Sequence, residues 1–328
     1  MWLKLFLSLM PVLFSPLLAC SVQAQESAAA YPSKPVTLVV PNSPGASFDR
    51  FARMYAQKLG DSLGQPFVVD FKPGAGGTIA STYVAKSAPN GYALLIVSPS
   101  FTIAPLQYKD LAFDPVQGFS PISLMTSAPY LLVVNAGLPV KSVREYIAYA
   151  KANPGALNIA TTGAGSFNHL AAEWIHSATS SKAFYIHYKG GPDYVADLMT
   201  GRVQGVIASV TFMKPLIASG KVRAIGVTSL NRNPAVPDLP TLAEQGVPDY
   251  NAINWVGIVA AAGTPPSIVA KLNTELAKAL KQPDVASELV LDGTQAVAST
   301  PEQFRQLLVT ELGRWRKLVQ EREINMKE

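Results

Sequence analysis

Hydrophobic and polar positions alternate between two periods along most of the chain. VTLVV (36–40) is a continuous β-branched run closed by turn residues, which predicts a buried strand. Phe48, Phe51, Tyr55, Leu59 and Leu63 follow at spacings of three and four and mark one face of a helix. PFVVDF then reads as a strand, GGTIASTYVAK as a helix and YALLIVS as a strand. From about residue 129 the pattern restarts with YLLVVN, KSVREYIAYAKAN, LNIATTG, FNHLAAEWIHSA, FYIHY, PDYVADLMTG, GVIAS and VRAIGVTS, strand and helix in turn until two strands close the series. A Pro-rich stretch over 232–248 is the best linker candidate. NWVGIVAA and three helical stretches come after it, and the last of them, 301–324, is amphipathic.

Alternating strands and helices predict an α/β fold with a parallel sheet covered on both faces. The restart predicts two such lobes. Residues 25–128 with 250–328 are expected to form the first, and 129–249, including the Pro-rich return linker, the second. A cleft between two α/β lobes is a natural ligand site.

Each unit repeats a small-residue loop at the same place. PNSPGASFDRFAR (41–53) and TTGAGSFNHLAAE (161–173) align on Ser47 and Ser166, and Asp49 then lies over Asn168. A helix N-terminus exposes unpaired N–H groups and a positive dipole end, and small residues let an anion approach them. One such loop on each lobe would hold two negative groups at a fixed separation, as in a clamped dicarboxylate. Ordinary capping by Ser47 and Ser166 is the plainer alternative. Phe48 and Phe167 either wall the cleft or pack back on their own lobes.

Composition narrows the picture. The chain has 328 residues, 48% hydrophobic and 15% charged, with a net charge of +5 and no basic run, so a nucleic-acid footprint is not expected. MWLKLFLSLMPVLFSPLLAC has the character of a secretory signal peptide, expected to occupy residues 1–24, and implies an exported, periplasmic protein. Val22-Gln23-Ala24 suits ordinary cleavage, whereas Leu17-Leu18-Ala19-Cys20 suits lipoprotein anchoring. Cys20 is the only cysteine, so no disulfide is expected.

The sequence gives little support to an enzyme. There is no G-x-S-x-G elbow, and PGAGGT (73–78) lacks the lysine of a phosphate loop and reads as a tight turn into a helix. His169, Glu173 and His176 share a helix face, but not in H-E-x-x-H order, and no metal or cofactor is expected.

Several ordered motifs resemble the tripartite tricarboxylate transporter solute receptors of the Bordetella uptake gene type. They are YPSKPVTLVVPNSPG (31–45), LGQPFVVDFKPGAGG (63–77), APNGYALLI (88–96), HYKGGPDYVADLMTGRV (187–203), GKVRAIGVTSLNR (220–232), PDLPTLAEQGVPDY (237–250), GIVAAAGTP (257–265) and STPEQF (299–304). The resemblance implies a type II periplasmic binding protein, monomeric, that closes on a small carboxylate held largely by backbone amides of the two loops. It also implies delivery of that ligand to two membrane subunits of an ion-gradient-driven importer. Docking of the loaded receptor on a sensor, or turnover of an organic acid, are the competing functions.

The chain departs from the family pattern in these loops. Ala46 stands for a glycine, Phe48 for a small residue, Asn42 for an aromatic, and Ala208 and Ser209 for an Asp-Asn pair. Without a carboxylate at 208–209 an ammonium group would lack a partner, which disfavours an amino-acid ligand. Phe48, Phe101 and Phe167 suggest a dicarboxylate with an aromatic or long apolar body. Ser43, Gly45, Ala46, Ser47 and Phe48 are the expected first half-site, and Thr162, Gly163, Ala164, Gly165, Ser166 and Phe167 the second. Ser98, Ser100, Phe101, Thr102, Ser209 and Thr211 are candidate side walls, with Asp49 and His169 supporting the loops.

Overall fold

The computed structural model describes residues 30–44, 47–108, 110–291 and 293–326, with Ser47, Phe48 and Leu291 described by their backbone alone. The expected signal peptide, with its cleavage site and Cys20, lies outside the described residues.

The first lobe is built on β1 (Val36–Val40), which pairs in parallel with β2 (Phe67–Phe71) on one side and β3 (Ala93–Val97) on the other. β9 (Ile253–Ala261) lies antiparallel to β3, and β4 (Phe119–Asn135) lies antiparallel to β9. The expectation of a parallel sheet is corrected here. β9 comes directly from the second lobe, without the crossover helix that a parallel neighbour of β3 would need.

β4 belongs to both lobes. Phe119–Pro129 pair with β9, and Tyr130–Asn135 pair with β7 (Gly205–Ser209) on one side and β8 (Val222–Val227) on the other. The second sheet continues in parallel from β7 to β5 (Asn158–Thr161) and β6 (Phe184–His187). A short β10 (Gln295–Ala296) returns to pair with β4.

Successive strand side chains feed opposite faces. In the first lobe Leu38, Val40, Leu94 and Ile96 pack on α1 (Ser47–Leu63), α8 (Pro266–Leu280) and α9 (Pro283–Leu291). Val39, Leu95 and Val97 face α2 (Thr78–Ala85), α3 (Pro99–Gln107) and α10 (Pro301–Arg322). In the second lobe Leu132, Val134, Ile159 and Ile207 pack on α4 (Val143–Ala152) and α5 (Phe167–Ala178). Leu131, Val133, Val206 and Ala208 face α6 (Gly191–Thr200) and α7 (Val210–Ala218).

α10 joins the lobes. Phe304 and Leu308 near its start sit in the first lobe's core. Trp315 and Leu318 near its end cluster with Ile103 of α3, Leu170 of α5 and Met326. Among the described residues no helix is long and apolar enough to cross a membrane.

Candidate functional site

Residues 162–166 turn the chain from β5 into α5. Gly163 and Gly165 have φ of +117° and +67°, a region in which a side chain is strained. A Cβ at Gly165 would also overlap Gln107 Nε2 and Met326 Cε, so this loop is closely packed against α3 and the C-terminal segment.

Two side chains of the first turn of α5 hold the loop. Asn168 Oδ1 accepts from the Thr162 N–H at 3.2 Å, the Thr162 hydroxyl at 3.0 Å and the Ser166 hydroxyl at 2.7 Å. His169 Nδ1 accepts the Gly165 N–H at 2.9 Å, which puts the ring proton on Nε2. Burial, with a smaller contribution from neighbouring His187, lowers the His169 pKa to about 4, so the ring stays neutral near neutral pH.

Ser166 occupies the N-cap position of α5 but makes no side-chain cap. Its hydroxyl lies 2.7 Å from Gly163 O and 2.7 Å from Asn168 Oδ1, both acceptors, and so points back into the loop. Ser142 ahead of α4 and Ser209 ahead of α7 do cap, accepting from the Glu145 and Phe212 N–H groups. The N–H groups of Gly163, Ala164, Phe167, Asn168 and His169 therefore have no acceptor among the described residues. They form a set of donors at the positive end of a helix.

This loop opens on a cavity of about 680 Å³. Gly76, Ser100, Ile103, Gln107 and Tyr108 line it from the first lobe, Thr162–Phe167 from the second, and Met326 closes one side. None of these lining side chains is charged. An anion held here would depend on N–H groups and hydroxyls rather than on a cation. Gln107 crosses the cavity and donates from Nε2 to Ala164 O at 3.0 Å.

The family model described as the tripartite tricarboxylate transporter family receptor matches residues 51–324. The chain belongs to this receptor family. The receptor is similar in structure to Rpa4515 from R. palustris, solved with adipate, at 35% identity and a TM-score of 0.76 over 90% of this chain and 99% of that one. It is similar to the periplasmic binding protein BugD at 32% identity and a TM-score of 0.73 over 91% and 100%. MatC from Rhodopseudomonas palustris, solved with bound malate, matches at 32% identity and a TM-score of 0.73 over 88% and 100%. These likenesses bear out the two-lobed binding-protein fold.

The structure brings the expected second half-site, Thr162–Phe167, together around the cavity, with Ser100 opposite. Phe167 packs edge-on against Tyr130 at 5.5 Å and Trp315 at 6.2 Å. In the receptor's first loop, Ser43 is exposed and Asp49 Oδ1 accepts from Arg53 Nε at 2.5 Å. Gly45 and Ala46, and the side chains of Ser47 and Phe48, lie outside the described residues. Asn42, two residues past the end of β1, has a buried Oδ1 with no partner among the described residues.

The remaining side-wall candidates are placed elsewhere. Phe101 stacks on Phe113 at 5.9 Å and meets Phe119 edge-on at 5.0 Å inside the first lobe, away from the cavity lining. Thr102 is fully buried and donates to Pro99 O. Helical spacing explains both, because Ser100, Ile103 and Gln107 take the cavity-facing stripe of α3. Ser98 is buried and bonds Ser100 Oγ at 3.0 Å. Ser209 caps α7, and Thr211 lines a separate groove with Lys214, Asn233 and Gly293. Ile103, Gln107, Tyr108, Gly76 and Met326 were not foreseen. Nothing in the sequence marks them, since they come from α3, a distant turn and the C-terminal segment.

Proposed function

We propose that this receptor captures a small dicarboxylate between its lobes, one carboxylate on the uncapped N-terminus of α5 and the other on the matching loop before α1. It would then deliver the acid from the periplasm to the two membrane subunits of a secondary tripartite importer. The observation that carries the proposal is the set of N–H groups at Gly163, Ala164 and the first turn of α5 that have no acceptor among the described residues, opening on a cavity without charged lining side chains. The bound adipate and malate of two structural relatives support the ligand class. The leader-like N-terminus and the likeness to periplasmic BugD support the compartment.

Phe167, Tyr108, Ile103 and Met326 offer an apolar surface for the body of the acid. With Phe101 turned into the core, stacking no longer rests on three phenylalanines. A flexible diacid of adipate's length is the first choice, and an aromatic diacid the second.

A thermal-shift screen against adipate, malate, terephthalate, acetate and glutamate tests this. At ~100 times Kd, a ligand that binds only the folded state adds about 2.7 kcal/mol, which is roughly 4 °C for a protein of this size. Stabilisation by one or more diacids, and less by acetate, is expected. Stabilisation by glutamate alone, or by none of the acids, would contradict the proposal.

A further inference from the structure

The aligned loops differ in the residue that organises them. In the first loop the position is Asp49, whose carboxylate is paired one helical turn on with Arg53, Oδ1 to Nε at 2.5 Å. In the second loop the aligned residue is Asn168, and one turn on stands Ala172, which is buried and only 2% exposed. Ala172 cannot play the part that Arg53 plays beside Asp49, since it carries no charge to neutralise a carboxylate. Yet Asn168 Oδ1 does what an acidic side chain would do, accepting from the Thr162 N–H, the Thr162 hydroxyl and the Ser166 hydroxyl. Asn168 is 6% exposed, and its own N–H belongs to the set left open at the start of α5.

We infer that Asn168 is the positioning residue of the second half-site, and that its neutrality is a requirement for holding an anion there. The inference rests on the carboxylate reading proposed above. Three bonds to one oxygen fix the loop, and one of them, together with Gly163 O, keeps the Ser166 hydroxyl away from the helix N-terminus and leaves those N–H groups open. An aspartate at 168 would fix the loop equally well, but would set an uncompensated negative charge beside the bound carboxylate. The first half-site tolerates Asp49 because Arg53 cancels its charge.

The test uses the full receptor with N168D and N168A variants, each measured in two ways. Hydrogen exchange at the Thr162 amide reports the loop, and calorimetric titration with adipate reports the half-site. N168D is expected to keep the Thr162 amide protected and to weaken adipate about tenfold or more. N168A is expected to lose that protection and to weaken adipate as well. Unchanged adipate affinity in N168D overturns the inference. Loss of Thr162 protection in N168D also overturns it, since geometry rather than charge would then be at fault. If no acid binds the unmutated receptor, the proposed function fails. The organising role of Asn168 is then judged by exchange alone, and a protected Thr162 in N168A overturns it.

Discussion

His169 and His176 are 4% and 1% exposed, and each makes hydrogen bonds that need a neutral ring or a defined tautomer. His169 accepts from Gly165, and His176 lies between the Tyr146 hydroxyl at 3.1 Å and Ser181 Oγ at 2.7 Å. Burial lowers both to about 4, aided by His187 at His169 and by Arg322 at His176. Unfolded, each ring would titrate near its ordinary value, so the unfolded chain binds more protons in between. The stability these two rings contribute is therefore complete above about pH 6.5 and is lost as pH drops toward about 4. H176Q should flatten this part of the melting-temperature profile relative to the unmutated protein. An identical pH slope in both would contradict the buried, neutral state. The repeated loop itself was legible, because small residues, Ser and an aromatic recur at one spacing. The direction of the Ser166 hydroxyl was not, because Ser166 is compatible with capping, and only its bonds to Gly163 O and Asn168 Oδ1, which the sequence does not show, turn it inward.

Among elements, α3 does most to define the cavity wall and was the least legible. PSFTIAPLQ contains Pro99 and Pro105 and has no clear apolar stripe, so it does not announce a helix. Its Gln107 meets Ala164 O across the cavity, and Gly165 packs against it. Q107L should remove that bond at a cost of about 1 kcal/mol and change acid affinity. G165A should be worse, since it adds backbone strain to a clash with Gln107 and Met326, and its acid affinity should fall further than that of Q107L. Titrating both variants with adipate checks the order, and G165A binding as well as the unmutated protein would contradict it. β4 shows the same limit in a strand. YLLVVN was readable, but the half before it holds Pro121, Pro129, Ser123 and Thr126, with register shifts at Pro121/Ser123 and Leu124/Thr126. Bulges and prolines erase the two-residue period, while pairing with β9 supplies the strand.

Across the whole molecule, the restart of the pattern near residue 129 made two lobes legible, because each lobe has its own alternating core. What joins them was less visible. Trp315 is fully buried, donates to Glu311 Oε2 at 3.0 Å, and meets Phe167 and Trp174 edge-on at 6.2 and 6.1 Å. An amphipathic pattern places α10 on a surface, but not on two lobes at once. W315A should cost about 3–5 kcal/mol, seen as a lower urea midpoint with little change in slope. A midpoint within error of the unmutated protein would show that α10 does not tie the lobes together.

The most direct measurement is an amide NMR titration of the receptor with the diacid that stabilises it most. The expected result is a downfield movement of the Gly163, Ala164, Phe167, Asn168 and His169 N–H signals, with smaller changes at Thr162, Gly165 and Ser166, whose N–H groups are already bonded within the loop. Tight binding that leaves the first five signals unmoved would contradict capture of the acid at the N-terminus of α5.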